Sequence, residues 1–391
     1  MRLRATDEEQ ALQAEVRAFL AQDRLTPADL PRALDERMEI LREWQASCYE
    51  AGYVGRAWPS EFGGGGRAAV EQIVVDQELA AAGAPEFVNV VGLDVLGPSL
   101  LRFGNDEQRR RFIPAILSAD EIWCQGFSEP EAGSDLASLR TRAAEGDDHF
   151  VVSGQKTWVS WGQYARWCGV LARTEETGPK HRGISMLIVD MHSPGVEVRP
   201  MTQITGHAEF CELFLDDVAV PKANLLSNRG DGWKIAMYTL GHERGTAALP
   251  RQVKLRTWLD RVVRVAADRE LDGQPVVADP QAQVALARAL IGIEVLRHHA
   301  YRTVGEFLNG GAVGSDSSSV KLLMAEAEQR LAATALEVLG PTLQHAAPAD
   351  AAENDFWHET YLYSRAASVY GGTQQIQRNI IAGRILALPQ E

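Results

Sequence analysis

Two runs hold the residues whose types and spacing could do chemistry: Trp123-Cys-Gln-Gly-Phe-Ser-Glu-Pro-Glu-Ala-Gly-Ser-Asp135 and Gly154-Gln-Lys-Thr-Trp-Val-Ser160. Glu129-Pro130 fixes an extended approach, because the residue before a proline is pushed out of the helical region. Ala132-Gly133-Ser134 then supplies small residues, exposed N–H groups and a hydroxyl, which suits a backbone wrapped closely round a polar ligand. Either run alone also fits a Pro/Gly turn opening a β-hairpin, with Trp158 as core filler. Two other segments carry candidates: Tyr238-Thr-Leu-Gly-His-Glu243-Arg244-Gly245 and Tyr370-Gly-Gly-Thr-Gln-Gln-Ile-Gln-Arg-Asn-Ile-Ile381. Glu243 beside Arg244 reads either as an exposed helical ion pair or as a base. A surface glutamate titrates at about 4.3, so it becomes a stronger base only if burial raises that value toward neutrality.

The elements that must position these residues fall into three stretches. Residues 7–120 read as helices, with Leu12, Val16, Phe19 and Leu20 at helical spacing in 8–20 and similar patterns in 70–82 and 107–117. Residues 121–228 change period: 149–153, 168–173, 184–190 and 213–220 are short apolar or alternating runs bounded by Gly, Pro and Asp, the pattern of a small antiparallel β-domain. From Gly232 the helical pattern returns, clearest over 320–339, where Val320, Leu323, Met324, Ala327, Leu331, Ala335 and Val338 form one packing stripe. The segment 309–319 reads as a loop with a helix stop and the next N-cap. The expected domains are therefore 1–120, 121–228 and 229–391.

At 391 residues the chain can bury a large core in two or three domains or layers. Its net charge of −14 argues against nucleic acid or an anionic membrane as partner. Arg109-Arg110-Arg111 sits among acidic residues and reads as a solvated helix face. Cys48, Cys124, Cys168 and Cys211 show no metal-ligand spacing, so neither a metal site nor a disulfide framework is expected. The N-terminus lacks a signal-peptide core, and no stretch approaches a membrane span. A reducing, cytoplasmic setting follows as the expectation.

Taken together, the two runs resemble the flavin-embracing strands of the acyl-CoA dehydrogenase family, and 370–381 resembles that family's C-terminal signature. The resemblance covers nearly the whole chain and implies an α+β, mainly α fold: an N-terminal helical domain, a middle antiparallel β-domain and a C-terminal four-helix bundle. It implies FAD as cofactor and dehydrogenation of an acyl-CoA to a trans-2-enoyl-CoA, by α-proton abstraction and β-hydride transfer to flavin N5. By motif position, Gln125, Phe127 and Ser128 would lie along the flavin pyrimidine. Trp158 and Ser160 would flank the dimethylbenzene and N5 regions, and Ser134 would sit where cofactor and pantetheine meet. Thr373, Gln375 and Arg269 would reach the ADP half. Leu240, Arg244 and Gly371, with Ser134, would line the thioester site.

The family places its catalytic carboxylate either just before the Gly-Thr of the C-terminal loop or on an early helix of the last domain, before an Arg. Here the loop reads Tyr370-Gly371-Gly372-Thr373, without the acid, and Glu243 supplies it on the helix. The resemblance implies that the Gly371 N–H still serves the thioester oxygen as an oxyanion donor. Two positions depart from the pattern. Arg269-Glu-Leu-Asp272-Gly273 stands for Arg-x-x-Phe-Gly, and Glu337 stands for the Gln of Gln-x-x-Gly-Gly, where it needs a compensating Lys or Arg near a pyrophosphate.

Implied partners are an acyl-CoA, an electron-transfer flavoprotein, and either identical subunits (dimer or tetramer) or a related subunit in a heterotetramer. Two alternatives are a flavin-poor partner subunit and a flavin oxidase or monooxygenase on the same fold. Trp-Cys-Gln-Gly-Phe-Ser-Glu-Pro with Glu-Arg-Gly is similar to actinobacterial members, many of them acting in lipid or steroid catabolism.

Overall fold

The computed structural model describes residues 5–22, 25–176, 178–246, 248–308, 316–343 and 351–389; at 28, 242–246, 306–308 and 341–343 it describes the backbone only. The helices are α1 (Asp7–Gln22), α2 (Leu34–Glu50), α3 (Ala69–Ala81), α4 (Gly97–Phe103), α5 (Asp106–Ser118), α6 (Gly232–Thr246), α7 (Ala248–Asp268), α8 (Pro280–Leu308), α9 (Asp316–Leu343), α10 (Ala351–Ser364) and α11 (Gln374–Ile380). The strands are β1 (Trp123–Gly126), β2 (Arg142–Glu145), β3 (His149–Ser160), β4 (Trp167–Arg173), β5 (Ile184–Asp190), β6 (Val196–Met201), β7 (Phe210–Pro221), β8 (Leu225–Leu226), β9 (Glu270–Leu271) and β10 (Gln274–Pro275). The helix–sheet–helix order is the one expected from the sequence. Of the expected 309–319 loop, residues 309–315 lie outside the described residues.

By contact the chain forms two compact units, Met1–Leu30 with Ala69–Pro85 and Arg244–Glu391, and Pro31–Ala68 with Glu86–Glu243. In the second unit the sheet runs β6-β7-β3-β2-β4-β5-β8, with β1 paired to β4. Most neighbours are antiparallel, but β1 runs parallel to β4, with Trp123 opposite Trp167 and Gly126 opposite Val170. Strands β4 and β5 are buried on both faces, which is why they read as continuous apolar runs rather than alternating ones. Cys168, Val170 and Ala172 of β4 and Leu187 and Val189 of β5 join Phe150, Val152, Leu213 and Val218 in one core.

Helix α5 shows how local sequence fixes an element. Asn105 accepts from the Gln108 N–H at 2.8 Å while the Gln108 side chain accepts from the Asn105 N–H at 3.1 Å, a reciprocal cap. The arginine run on this helix is paired locally: Arg109 and Arg110 to Asp106, and Arg111 to Glu121 at 2.7 Å.

The first unit packs α7, α8, α9 and α10 around Leu255, Val262, Leu286, Ile293, Leu331 and Trp357. After α7, Asp272 (φ 54) and Gly273 (φ 75) form a two-residue turn between β9 and β10. Positive φ at both central residues is the type I′ requirement that Asp-Gly satisfies, so Asp272 is accounted for by hairpin chemistry.

Asp76 on α3 is the unit's misfit charge. Burial raises its carboxyl to about 6, against the hydrogen bond from Gln72 Nε2 at 2.8 Å. A folded pKa above the unfolded 3.8 means the native state binds the proton more tightly, so this residue's contribution worsens as pH rises from 3.8 to 6. Asp76→Asn is expected to stabilise the protein by about 1–3 kcal/mol above pH ~7 and to change little below pH ~4. Urea titrations at the two pH values check both the sign and the convergence.

Candidate functional site

The two motif runs lie side by side in the second unit. Pro130 and Glu131 form the tip of a tight reversal in which Glu129 and Ala132 exchange both backbone hydrogen bonds, each 3.1 Å. This reversal leaves Gly133 and Ser134 exposed. It also turns the Glu129 carboxylate inward, where it accepts from the backbone N–H of Arg140 at 2.6 Å and of Thr141 at 2.9 Å.

The third donor to Glu129 comes from the other run. Lys156 is fully buried, and its Nζ donates to Glu129 Oε1 at 2.8 Å and to the Phe127 carbonyl at 3.2 Å. The next peptide completes the join, with Thr157 N–H donating to the Ser128 carbonyl at 3.0 Å. Burial works to raise the Glu129 carboxyl, but the Lys156 ammonium and the other donors outweigh it and hold it below the usual range. Burial pushes Lys156 itself down to about 8, against the pull of Glu129. Gly154 allows β3 to pass this close: a Cβ there would lie 2.5 Å from Thr141 Oγ1.

Two residues past Lys156 the ladder slips. Lys156 pairs with Leu213 but Val159 with Cys211, so β3 carries one extra residue, a β-bulge. Trp158 sits in this bulge at φ 58, 61% exposed, its ring edge-on to Phe210 at 5.9 Å. The reading of Trp158 as core filler is thereby set aside: the bulge turns the indole out of the sheet.

Within the two runs, polar groups remain uncommitted. Among the described residues, the side chains of Gln125, Ser128, Ser134 and Ser160 and the Trp158 indole N–H have no hydrogen-bond partner. Phe127 is buried, so only its backbone can face a ligand. Two joined runs that offer a broad exposed ring and unpaired donors and acceptors suit a planar heterocycle with a polar rim. These residues fit a flavin in chemical type. Among the described residues no group of three or more His, Cys, Asp and Glu is placed to hold a metal, and the four cysteines are buried thiols.

The other sequence-derived candidates lie elsewhere. Leu240 is half-buried on α6. Glu243 and Arg244 are on the same helix, but their side chains lie outside the described residues. In the first unit Arg269 follows α7, and its Nη2 donates to Asn354 Oδ1 at 3.2 Å. Gly371 (φ 62) and Gly372 (φ 92) lead to Thr373, whose hydroxyl caps α11 by accepting from Ile376 N–H at 3.2 Å, and Gln375 is exposed on that helix. Glu337 is exposed on α9 in a concavity of about 600 Å³ that Arg288 and Arg330 also line, so cations of the compensating kind share its surface.

Sequence reasoning missed the Glu129–Lys156 pair. Both residues stand inside the runs, yet their partnership needs a lysine pointing into a core, which periodicity does not announce. Removing one partner of such a pair leaves a bare buried charge, whereas removing both does not. Lys156→Met should therefore cost about 3–5 kcal/mol of stability, and adding Glu129→Gln should recover at least about half of that loss. Urea titrations of wild type, both single variants and the double variant test this non-additivity.

Comparison with known proteins gives matches along almost the full length. Models described as acyl-CoA dehydrogenase N-terminal, middle and C-terminal domains match residues 6–120, 124–218 and 230–386. The chain is 40% identical over 359 residues to the acyl-CoA dehydrogenase IpdE1 of Mycobacterium tuberculosis, covering 91% of this chain and 90% of that one. Among solved structures it is similar to the Tcur3481-Tcur3483 steroid ACAD (TM-score 0.87, 29% identity, complete coverage of both chains). It is equally similar in length to a chain of the ChsE4-ChsE5 complex from Mycobacterium tuberculosis (TM-score 0.86, 31% identity, complete coverage of both).

Proposed function

The chain belongs to the acyl-CoA dehydrogenase family and is an oxidoreductase of that kind; from that premise we propose that it uses FAD to convert an acyl-CoA into its trans-2-enoyl-CoA. The observation that supports this reading most is the union of the two runs through a buried ion pair, with an outward-turned Trp158 and unpaired polar side chains carried on them. When bound, FAD supplies the acceptor for the hydride that leaves the β-carbon.

The chain's own residues would do the rest. Gln125, Ser128 and the backbone at Phe127 would bind the pyrimidine edge, with Trp158 and Ser160 on the ring. Thr373, Gln375 and Arg269 would bind the ADP half, and Ser134, Leu240 and Arg244 the thioester and its arm. Glu243 would take the α-proton, and burial of its carboxylate would raise its basicity toward that task. The Gly371 N–H would hold the thioester oxygen as negative charge grows on it.

The proposed substrate class is a steroid- or lipid-derived acyl-CoA, because one similar solved structure is described as a steroid ACAD. An electron-transfer flavoprotein is the proposed acceptor, and the cytoplasm the proposed site. Among the described residues no helix is long and apolar enough to cross a membrane.

Glu243→Gln should keep the flavin bound and lower the rate of its bleaching by an acyl-CoA by about 10²–10⁴-fold. Unchanged bleaching would remove Glu243 from the mechanism. A panel of straight, branched and steroid thioesters, scored by flavin reduction, identifies the substrate class.

A second reading is that the chain works with a related subunit and holds flavin only in that company. It is favoured by two similar solved structures that each join two named components. Colour decides: protein purified alone would be colourless, and yellow only when co-expressed with its partner.

A further inference from the structure

The loop before α11 is held from beneath by two buried side chains with no assigned role. Gln377 is fully buried, and its Nε2 donates to the carbonyls of both Gly371 and Gly372, each at 3.1 Å. Lys321 on α9 is 3% exposed; its Nζ donates to the Ala367 carbonyl at 2.8 Å and lies 4.1 Å from the centre of the Tyr370 ring. The Tyr370 N–H is tied to the Ala366 carbonyl at 3.0 Å.

These contacts bracket one peptide. Tyr370 is fixed through its ring and its N–H, and Gly371 through its carbonyl, so the Tyr370–Gly371 peptide between them has both ends anchored. That peptide carries the Gly371 N–H. Because a trans peptide points its C=O and N–H in opposite directions, turning the next two carbonyls toward Gln377 also turns the Gly372 and Thr373 N–H groups away from it. Among the described residues none of these three N–H groups has an acceptor. The close packing depends on glycine: a Cβ on Gly372 would lie 2.5 Å from Gln377 Nε2.

We propose that Gln377 and Lys321 are positioning residues that hold the Gly371 N–H at a fixed bearing for a thioester oxygen, deepening the reading of this loop as an oxyanion donor and resting on it. A pre-set donor is worth more in the transition state than in the ground state, because no reorganisation accompanies charge development. A flexible loop would bind the neutral thioester nearly as well and its enolate worse. The Lys321 ammonium beneath the Tyr370 ring also places positive charge on the loop's inner side.

The test compares wild type with Gln377→Leu, Lys321→Met and the charge-preserving Lys321→Arg. Amide hydrogen exchange read at the hydrogen-bonded loop amides of Tyr370, Ile376 and Gln377, measured on the purified protein without thioester, should quicken at least about tenfold in the first two and less in Lys321→Arg. In the flavin-loaded protein, affinity for acetoacetyl-CoA, which binds as its enolate, should fall about 10–100-fold in the first two, while affinity for a saturated acyl-CoA shifts less than about threefold. Unchanged exchange overturns the proposal whether or not the enzyme is a dehydrogenase. Faster exchange with equal losses for both thioesters, or with none, overturns it as well. Should Gln377→Leu fail to fold, Lys321→Met carries the same comparison. A wild type that bleaches with no thioester on the panel would defeat the dehydrogenase reading instead, with the exchange comparison still deciding whether the clamp exists.

Discussion

A lysine ammonium and a glutamate carboxylate buried together organise the second unit of this chain. Desolvating two charges is expensive, and their attraction offsets that cost only with good geometry and with the remaining lone pairs satisfied. Both conditions are met: Glu129 accepts from Lys156 and from two backbone N–H groups, and Lys156 also donates to the Phe127 carbonyl. Together those bonds tie the two motif runs to each other and to the backbone at 140 and 141. Moving either run would strand a charge in the core, so the pair sets where Ser128 and Trp158 can be.

On that fixed base the sheet adds a deliberate irregularity. The extra residue in β3 and the left-handed backbone at Trp158 cost local stability, and Trp161 nearby is also left-handed at φ 57. A regular ladder would have kept alternating and paired every residue with β7. The bulge breaks the alternation just where a ring must face outward, while Lys156, two residues earlier, keeps facing in. One strand thus presents a structural charge and a candidate ligand-binding ring on opposite sides.

The first unit solves a related problem without a carboxylate in its loop. Its loop before α11 has Gly371 followed by Gly372, both left-handed. Two glycines would ordinarily leave the loop loose, because glycine loses most freedom on ordering. Gln377 and Lys321 restrain it from below, so the loop keeps a defined backbone, and the proton-abstracting role falls in our reading to Glu243.

The sequence alone determined the order of helices, sheet and helices, because periodicities of 3.6 and 2 are local properties: the 8–20, 70–82 and 107–117 patterns became α1, α3 and α5. It also carried the family, since proline, glycine and serine at fixed offsets in 123–135 constrain backbone locally. It did not disclose why Asp272 replaces an aromatic residue until the Asp-Gly turn was seen to join β9 to β10. What only the tertiary structure decided was partnership across distance. That Lys156 meets Glu129, that Lys321 lies under Tyr370, and that Arg288 and Arg330 share a surface with Glu337 depend on which strands and helices pack together. A lone lysine in a strand or helix reads as solvated; packing alone takes its water away and makes a neighbouring carboxylate, carbonyl or ring its necessary partner.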